Sequence, residues 1–287
     1  MSKIWNLLKL SFMLIVLPTL LCAQGDSSKQ TIPNFIPEIK QIIDRGKLII
    51  ATNKSENPLF QMKDENGEYV GQDMEMAKMI AAALGVPYEI LRTAKNNEEV
   101  VDSISRGEAD IGIAKLSYTA DRAKKVLFTR PYVVPNKSLI VNRARLERLN
   151  KKLKFQDALN NPSIIIGVTN KSAYADYAKN FFPQAQVKSY KEWEDMLPDM
   201  LTGKIFAGFR DEIRVKLLLK EYPEASLNLL PIMLKGEDDP LVMIVRKDAP
   251  IFLLWVDTLL ERGDYKIPEV NELIDRYKKV LEIKRKK

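Results

Sequence analysis

An arginine just inside a capped helix, and a serine and an aspartate that each open another, are the residues of this 287-residue chain with the clearest chemical use. The run Ala109–Tyr132 puts Ile111, Ile113 and Leu116 in a short buried strand, entered through the turn signal Arg106-Gly107. Thr119 can then cap a new helix by accepting from a first-turn backbone N–H, which sets Arg122 inside that turn. There the helix dipole disfavours a cation by about 0.3–1 kcal/mol, and Asp121 offsets part of this. A guanidinium held at a strand-to-helix corner suits bidentate capture of a carboxylate. Its local pattern alone favours a solvated surface arginine. Ser172 is placed to cap the helix Ala173–Phe181. Asp211 opens the helix Ile213–Glu221, where an aspartate is favoured by the dipole whatever its function. The chain has no histidine, hence neither the usual neutral-pH general base nor the commonest metal ligand. Its single cysteine, Cys22, leaves no intrachain disulfide and no thiolate metal cluster.

The elements that must hold these residues alternate. Lys47–Thr52 reads as a strand, and Asp64–Gly67 with Glu68–Val70 as a hairpin return. Asp73 is expected to cap the helix Met74–Leu84, which Gly85 stops. Tyr88–Leu91 is a strand and Glu98–Arg106 an amphipathic helix. This order argues for a parallel α/β sheet, where ligands gather beyond the strands' carboxyl ends, and Lys115–Arg122 lies at such an end. The rhythm then restarts, with strands at Lys137–Asn142, Ser163–Val168, Val187–Tyr190, Ile205–Phe209 and Leu241–Val245. Helices Trp193–Leu201, Ile251–Arg262 and Val270–Leu281 complete it. Tyr118, Tyr174 and Trp193 are expected to be core or helix-packing residues.

Composition bounds the rest. With 46% hydrophobic and 29% charged residues the chain can build one large domain or two small lobes. The net charge of +7 is spread among acids and does not point to nucleic acid; Lys284-Arg285-Lys286-Lys287 is a solvated end. Lys3 and Lys9 precede an apolar run, Leu10–Leu21, that is too short to span a bilayer comfortably. It reads as a signal peptide cleaved after Ala23, ahead of a polar leader. Lipidation of Cys22 is the alternative, disfavoured because Leu21 is not small.

Three stretches carry a resemblance: Gly71-Gln72-Asp73-Met74-Glu75-Met76-Ala77, Ala109–Arg122, and Phe128-Thr129-Arg130-Pro131-Tyr132. In order and spacing they resemble the bacterial extracellular solute-binding proteins, family 3, that serve polar amino-acid transporters. The resemblance runs from about Ile39 to Tyr277. It implies a type II periplasmic-binding-protein fold, two α/β lobes clasping a ligand, crossed near Val133–Asn136 and Glu237–Leu241. The expected division is signal peptide 1–23, flexible leader 24–37, lobe one 38–135 with 240–280, lobe two 136–239, and basic tail 281–287. It further implies a monomer exported to the periplasm, needing no cofactor or metal, that passes an amino acid to an inner-membrane ABC permease.

By the same resemblance Arg122 holds the ligand's α-carboxylate, assisted by Ser117. Ser172 and the helix N-terminus behind it meet that carboxylate from lobe two. Asp211 takes the α-ammonium, and in the open form both charged groups are expected to face water. Four residues depart from the family pattern. Lys115 stands where a small residue is usual, Lys171 where a glycine is usual, and Asn57 and Asn97 where aromatic or apolar residues often cover the ligand's side chain. The pocket is therefore expected to be polar and cationic, suited to an acidic or amide side chain, unless both lysines snorkel into solvent. Two other classes stand beside this reading. One is a secreted enzyme resembling cyclohexadienyl dehydratase, although the segment Thr169-Asn170-Lys171-Ser172 has a lysine where a catalytic carboxyl is wanted, and Glu98, Glu99 and Glu212 carry no sequence signal. The other is a ligand-sensing module for a membrane receptor.

Overall fold

A computed structural model describes residues 36–149, 153–263 and 265–285; the signal peptide and nearly all of the leader lie outside the described residues. Strands are β1 (Leu48–Asn53), β2 (Met62–Lys63), β3 (Tyr69–Val70), β4 (Tyr88–Ala94), β5 (Ile111–Ser117) and β6 (Val126–Val133). The later ones are β7 (Asn136–Asn142), β8 (Ile165–Thr169), β9 (Gln186–Tyr190), β10 (Ala207–Asp211), β11 (Leu229–Asp238) and β12 (Leu241–Arg246). Ten of them form two five-stranded sheets, ordered β4-β1-β5-β12-β6 and β11-β7-β10-β8-β9, and β2 and β3 form the expected small hairpin.

The two sheets share one pattern of directions. In the first, β4, β1 and β5 are parallel and β12 runs antiparallel between β5 and β6. In the second, β9, β8 and β10 are parallel and β7 runs antiparallel between β10 and β11. The chain is thus two α/β lobes. It leaves the first sheet between Val133 and Asn136 and returns between Asp238 and Leu241.

Side chains alternate across each sheet, as a period of two requires. Along β12, Met243 and Val245 join one apolar cluster with Ile50 and Ile113, while Ile244 faces another with Ala114 and Leu116. In lobe two, Leu139 and Val141 pack with Phe209, and Ile140 packs on the opposite face with Trp193 and Met196. Each such side chain removed from water contributes about 1.5–3 kcal/mol, so both sheets are held from both sides. β5 and β10 are the sheets' matching strands, and their carboxyl ends carry Lys115, Ser117, Arg210 and Asp211.

The structure alters several local expectations. A helix, Pro37–Arg45, begins where the leader was expected to end, with proline at its start and Ile39 and Ile42 buried. Asp73 does not cap its helix, which runs Gln72–Leu84 and has Gly71 at the cap position. The amides of Gln72 and Asp73 bond instead to the carbonyls of Leu59 and Phe60. That approach is so close that a Cβ on Gly71, at φ 132°, would lie 2.3 Å from the Phe60 oxygen. Asp73 is fully buried, and its Oδ1 accepts from the Tyr132 hydroxyl at 2.6 Å. Tyr118 is exposed rather than core. Trp193 and Tyr174 are buried as expected. The Trp193–Leu201 helix is a 3₁₀ turn, Glu194–Met196, followed by the α-helix Leu197–Leu201.

Candidate functional site

A cavity of about 240 Å³ opens where the carboxyl ends of β5 and β10 face one another. Arg122, Ser117, Lys115, Asn57 and Asn97 reach its wall from the lobe-one side. Asp211, Ser172 and Lys171 reach it from the lobe-two side. All eight residues singled out from the sequence therefore line one space.

The helix turn that carries Arg122 is capped as expected, but the side chain is not the solvated surface arginine that its local pattern alone favours. Thr119 caps the short helix Ala120–Ala123 and accepts from the Arg122 amide at 3.3 Å. The guanidinium is buried, donating from Nη1 to the Ser117 carbonyl at 2.7 Å. Its Nε and Nη2 both donate to Glu98 Oε1, at 3.1 and 2.8 Å. Ser117 turns its hydroxyl to Asp239 Oδ2 at 3.1 Å.

Lys115 does not snorkel into solvent. Its backbone sits at φ 51°, a left-handed conformation rare for a side-chain-bearing residue, and its amide donates to the Tyr132 hydroxyl at 3.2 Å. From there its chain passes over the Phe60 ring to Asp211 Oδ1, 2.8 Å away. Both side chains are almost wholly buried, so with the two sheets bridged in this way Asp211 does not face water. The same oxygen caps the helix Glu212–Glu221 by accepting from the Arg214 amide at 3.1 Å. Burial pushes the Lys115 ammonium down to about 8; Asp211 opposes that fall, and Arg210 and Arg214 add to it. Burial raises the Asp211 carboxyl, but Lys115 and Arg210 outweigh it and hold the group below the usual carboxylate range.

Ser172 occupies the cap position of its helix, but its hydroxyl donates to the Thr169 carbonyl at 2.6 Å and makes no cap bond. Lys171, at φ 51°, is an exposed rim residue in a conformation that glycine adopts without strain. Asn97 accepts from Asn53 at 2.6 Å, and Asn57 Oδ1 is buried with no partner.

Other lining residues escaped the sequence. Asp239, almost wholly buried, accepts from Ser117 and from Tyr174, whose hydroxyl is 2.9 Å away. Burial and the neighbouring Asp211 raise its carboxyl against those hydroxyl bonds. Arg210 places Nε 3.5 Å from Asp211 Oδ2 without a hydrogen bond, and Arg214 Nε is likewise unpartnered. The available signal was adjacency: Arg210 precedes Asp211 in sequence, and Arg214 follows it by one helical turn. Seven lysine and arginine side chains line the cavity against four aspartates and glutamates.

The family model for bacterial extracellular solute-binding proteins, family 3, matches residues 48–279. The chain belongs to this family. Among family-3 relatives, the arginine-binding periplasmic protein of Mannheimia haemolytica is 27% identical over 54% of this chain, which spans 59% of that protein's length. The cyclohexadienyl dehydratase of Pseudomonas aeruginosa is 22% identical over 65% of this chain and 67% of its own. In three dimensions, an L-arginine-bound substrate-binding protein of an amino acid ABC transporter from Streptococcus pneumoniae superposes with a TM-score of 0.63. It is 26% identical and covers 84% of this chain and 98% of its own. The two-lobed fold of these proteins is thus the fold of this family-3 chain. Its relatives include both binding proteins and an enzyme.

Proposed function

We propose that this family-3 chain captures a small acidic solute in the cleft between its lobes and presents it to an ABC permease of the inner membrane. Export by residues 1–23 would put it in the periplasm, the compartment named for its Mannheimia relative. One observation carries the reading: cations outnumber acids seven to four on the wall of a cavity sized for a small molecule. Such a surplus in a partly desolvated space favours a ligand with net negative charge. Of the ligands expected from sequence, this supports the acidic class over the amide class. In this reading Arg122 grips a ligand carboxylate with its planar fork, assisted by Ser117, Ser172 and the amides that open the Ala173–Phe181 helix. Lys171 adds positive charge at the rim, and Asn57 and Asn97 contribute neutral polar contacts.

The role is binding, not turnover. The segment Thr169–Ser172 offers no carboxyl to act as an acid beside the ligand. Incubation with prephenate or arogenate should leave both unchanged; formation of the aromatic product would move the protein to the dehydratase class. A thermal-shift screen of amino acids and small mono- and dicarboxylates tests the binding role, because a ligand that binds only the native form raises the melting temperature. At least one acidic member should raise it, and Arg122→Ala should abolish the rise. A screen in which no acidic compound moves the transition would overturn the reading.

A further inference from the structure

Which kind of acidic solute fits is written in the cavity's own hydrogen bonds. Its two buried carboxylates are already satisfied. Asp211 Oδ1 accepts from the Lys115 ammonium and the Arg214 amide. Asp239 Oδ2 accepts from the Ser117 and Tyr174 hydroxyls. The other two acids on the wall, Glu56 and Glu192, are exposed. Buried wall atoms left without a hydrogen-bond partner are of a different kind: Arg210 Nε and Arg214 Nε are donors, Asn53 Oδ1 and Asn57 Oδ1 are neutral acceptors, and Thr169 Oγ1 is a hydroxyl. An incoming ammonium would find no unoccupied buried carboxylate. To pair with Asp211 it would have to displace Lys115, leaving that ammonium buried beside Arg210 and Arg214 with no counter-charge, and to pair with Asp239 it would have to break into the bonds from the Ser117, Tyr174 and Tyr177 hydroxyls. A carboxylate and a neutral oxygen meet no such obstacle, because the unpartnered arginine donors suit the first and the Asn57 carbonyl and Thr169 hydroxyl suit the second.

We infer that the cavity takes a small carboxylate with no free ammonium, such as a hydroxy- or dicarboxylic acid, with Lys115 supplying from the protein the positive charge that an amino acid would bring. This rests on the binding role proposed above. It places the specificity of the site in one lysine and in the pair it makes with Asp211. The left-handed backbone at Lys115 belongs to the same device, since it is the conformation from which that side chain reaches β10.

The test is isothermal titration at pH 7 with compounds matched except at the ammonium: malate and succinate against aspartate, 2-hydroxyglutarate and glutarate against glutamate. In the native protein at least one compound lacking the ammonium should bind about tenfold or more tighter than its amino-acid counterpart. Lys115→Ala should reverse that order by uncovering Asp211, and Lys115→Met should do the same while retaining the side chain's bulk. Melting curves of both variants establish that they are folded, and the preference of the native protein is a readout that needs no variant. Tighter binding of the amino acids by native protein would overturn the inference while leaving the binding role intact. So would an order of preference unchanged in a folded Lys115 variant. Failure of every acidic compound in the thermal-shift screen would remove the binding role and this inference with it.

Discussion

Two cations on the same cavity wall, Arg122 and Lys115, are each paired with a carboxylate, and the pairs differ in where the acid lies. Arg122 and Glu98 both belong to lobe one, and Glu98 keeps 43% of its side chain exposed. Lys115 and Asp211 come from opposite sheets, and only 4% and 3% of their side chains are exposed. A carboxylate half in water can release its partner and be rehydrated where it stands, so a ligand can replace Glu98 on Arg122 at little cost. A carboxylate with no water beside it cannot exchange so freely, and Asp211 stays with Lys115. In the proposed reading the first pair is therefore the place where a ligand enters, and the second is part of the wall.

The widest separation between the pairs should appear in stability. Asp211→Ala strands the Lys115 ammonium without a counter-charge and takes a cap from the helix Glu212–Glu221, and should cost about 3–5 kcal/mol in urea unfolding. Adding Lys115→Met to that change should recover most of the loss, since an apolar pairing of similar bulk replaces a stranded charge. If Asp211→Ala unfolds at the same urea concentration as Glu98→Ala, burial does not distinguish the pairs.

Affinity should separate them the other way. Arg122→Ala removes a charge-assisted fork from the ligand's carboxylate and should weaken binding by about 2–5 kcal/mol, tens- to thousands-fold, by titration calorimetry. Arg122→Lys should not restore it, because an ammonium cannot offer two parallel donors. The variant should also be less stable than a solvent-facing arginine would predict, since Arg122 bonds to the Ser117 carbonyl as well as to Glu98.

Local pattern was legible in the sequence, and its partners across space were not. Thr119 and Asp211 cap their helices through short-range bonds that the order of residues specifies. The strand–helix rhythm pointed to α/β sheets because each element's period is local, and it was the resemblance that implied their division into two lobes. Lys115 is the instructive gap. Its direction depends on a left-handed turn within β5 and on a partner 96 residues away in the other sheet. Asp239 was hidden in the same way, lying in the segment that returns to lobe one while its donors sit on β5 and on the Ala173–Phe181 helix. Asp73 stood where a capping aspartate belongs, but the carbonyls of Leu59 and Phe60 take the helix amides and leave its carboxyl to Tyr132.

That aspartate sharpens the comparison through pH. Asp73 and Asp211 are both buried, but Asp73 has the Tyr132 hydroxyl and the Lys115 backbone beside it rather than a paired cation. Burial raises its carboxyl to about 7, opposed by the Tyr132 bond and by Lys115 at longer range, whereas Asp211 is held low. Between about pH 4 and 7 the folded protein keeps the Asp73 proton that the unfolded chain releases, so this contribution to stability is full at the acid end and lost as pH rises. The total is on the order of 2–4 kcal/mol. Asp211 acts with the opposite sign: its contribution is present at neutral pH and lost in acid. Asp73→Asn keeps the acceptor for Tyr132 and should remove the fall between pH 4 and 7, measured by urea unfolding across that range. An unchanged profile would assign the fall to other groups.

The smallest effect concerns Glu98, the exposed member of the exchangeable pair. Glu98→Gln preserves an oxygen to accept from Arg122 Nε and Nη2 but removes the charge that competes with a ligand's carboxylate. Because the acid is half in water, its Coulombic contribution is screened, and the change should alter stability by only about 0.2–1 kcal/mol. Affinity for an acidic ligand should rise by the same margin, roughly 1.4-fold to fivefold, since a neutral amide gives up the guanidinium more readily than a carboxylate does. The direction matters more than the size. If Glu98 competes, its neutralisation strengthens binding; if it only orients Arg122, the less tightly held guanidinium binds more weakly. Titration of Glu98→Gln beside the native protein separates the two, and weaker binding would mean that this pair, like Lys115 and Asp211, is part of the wall.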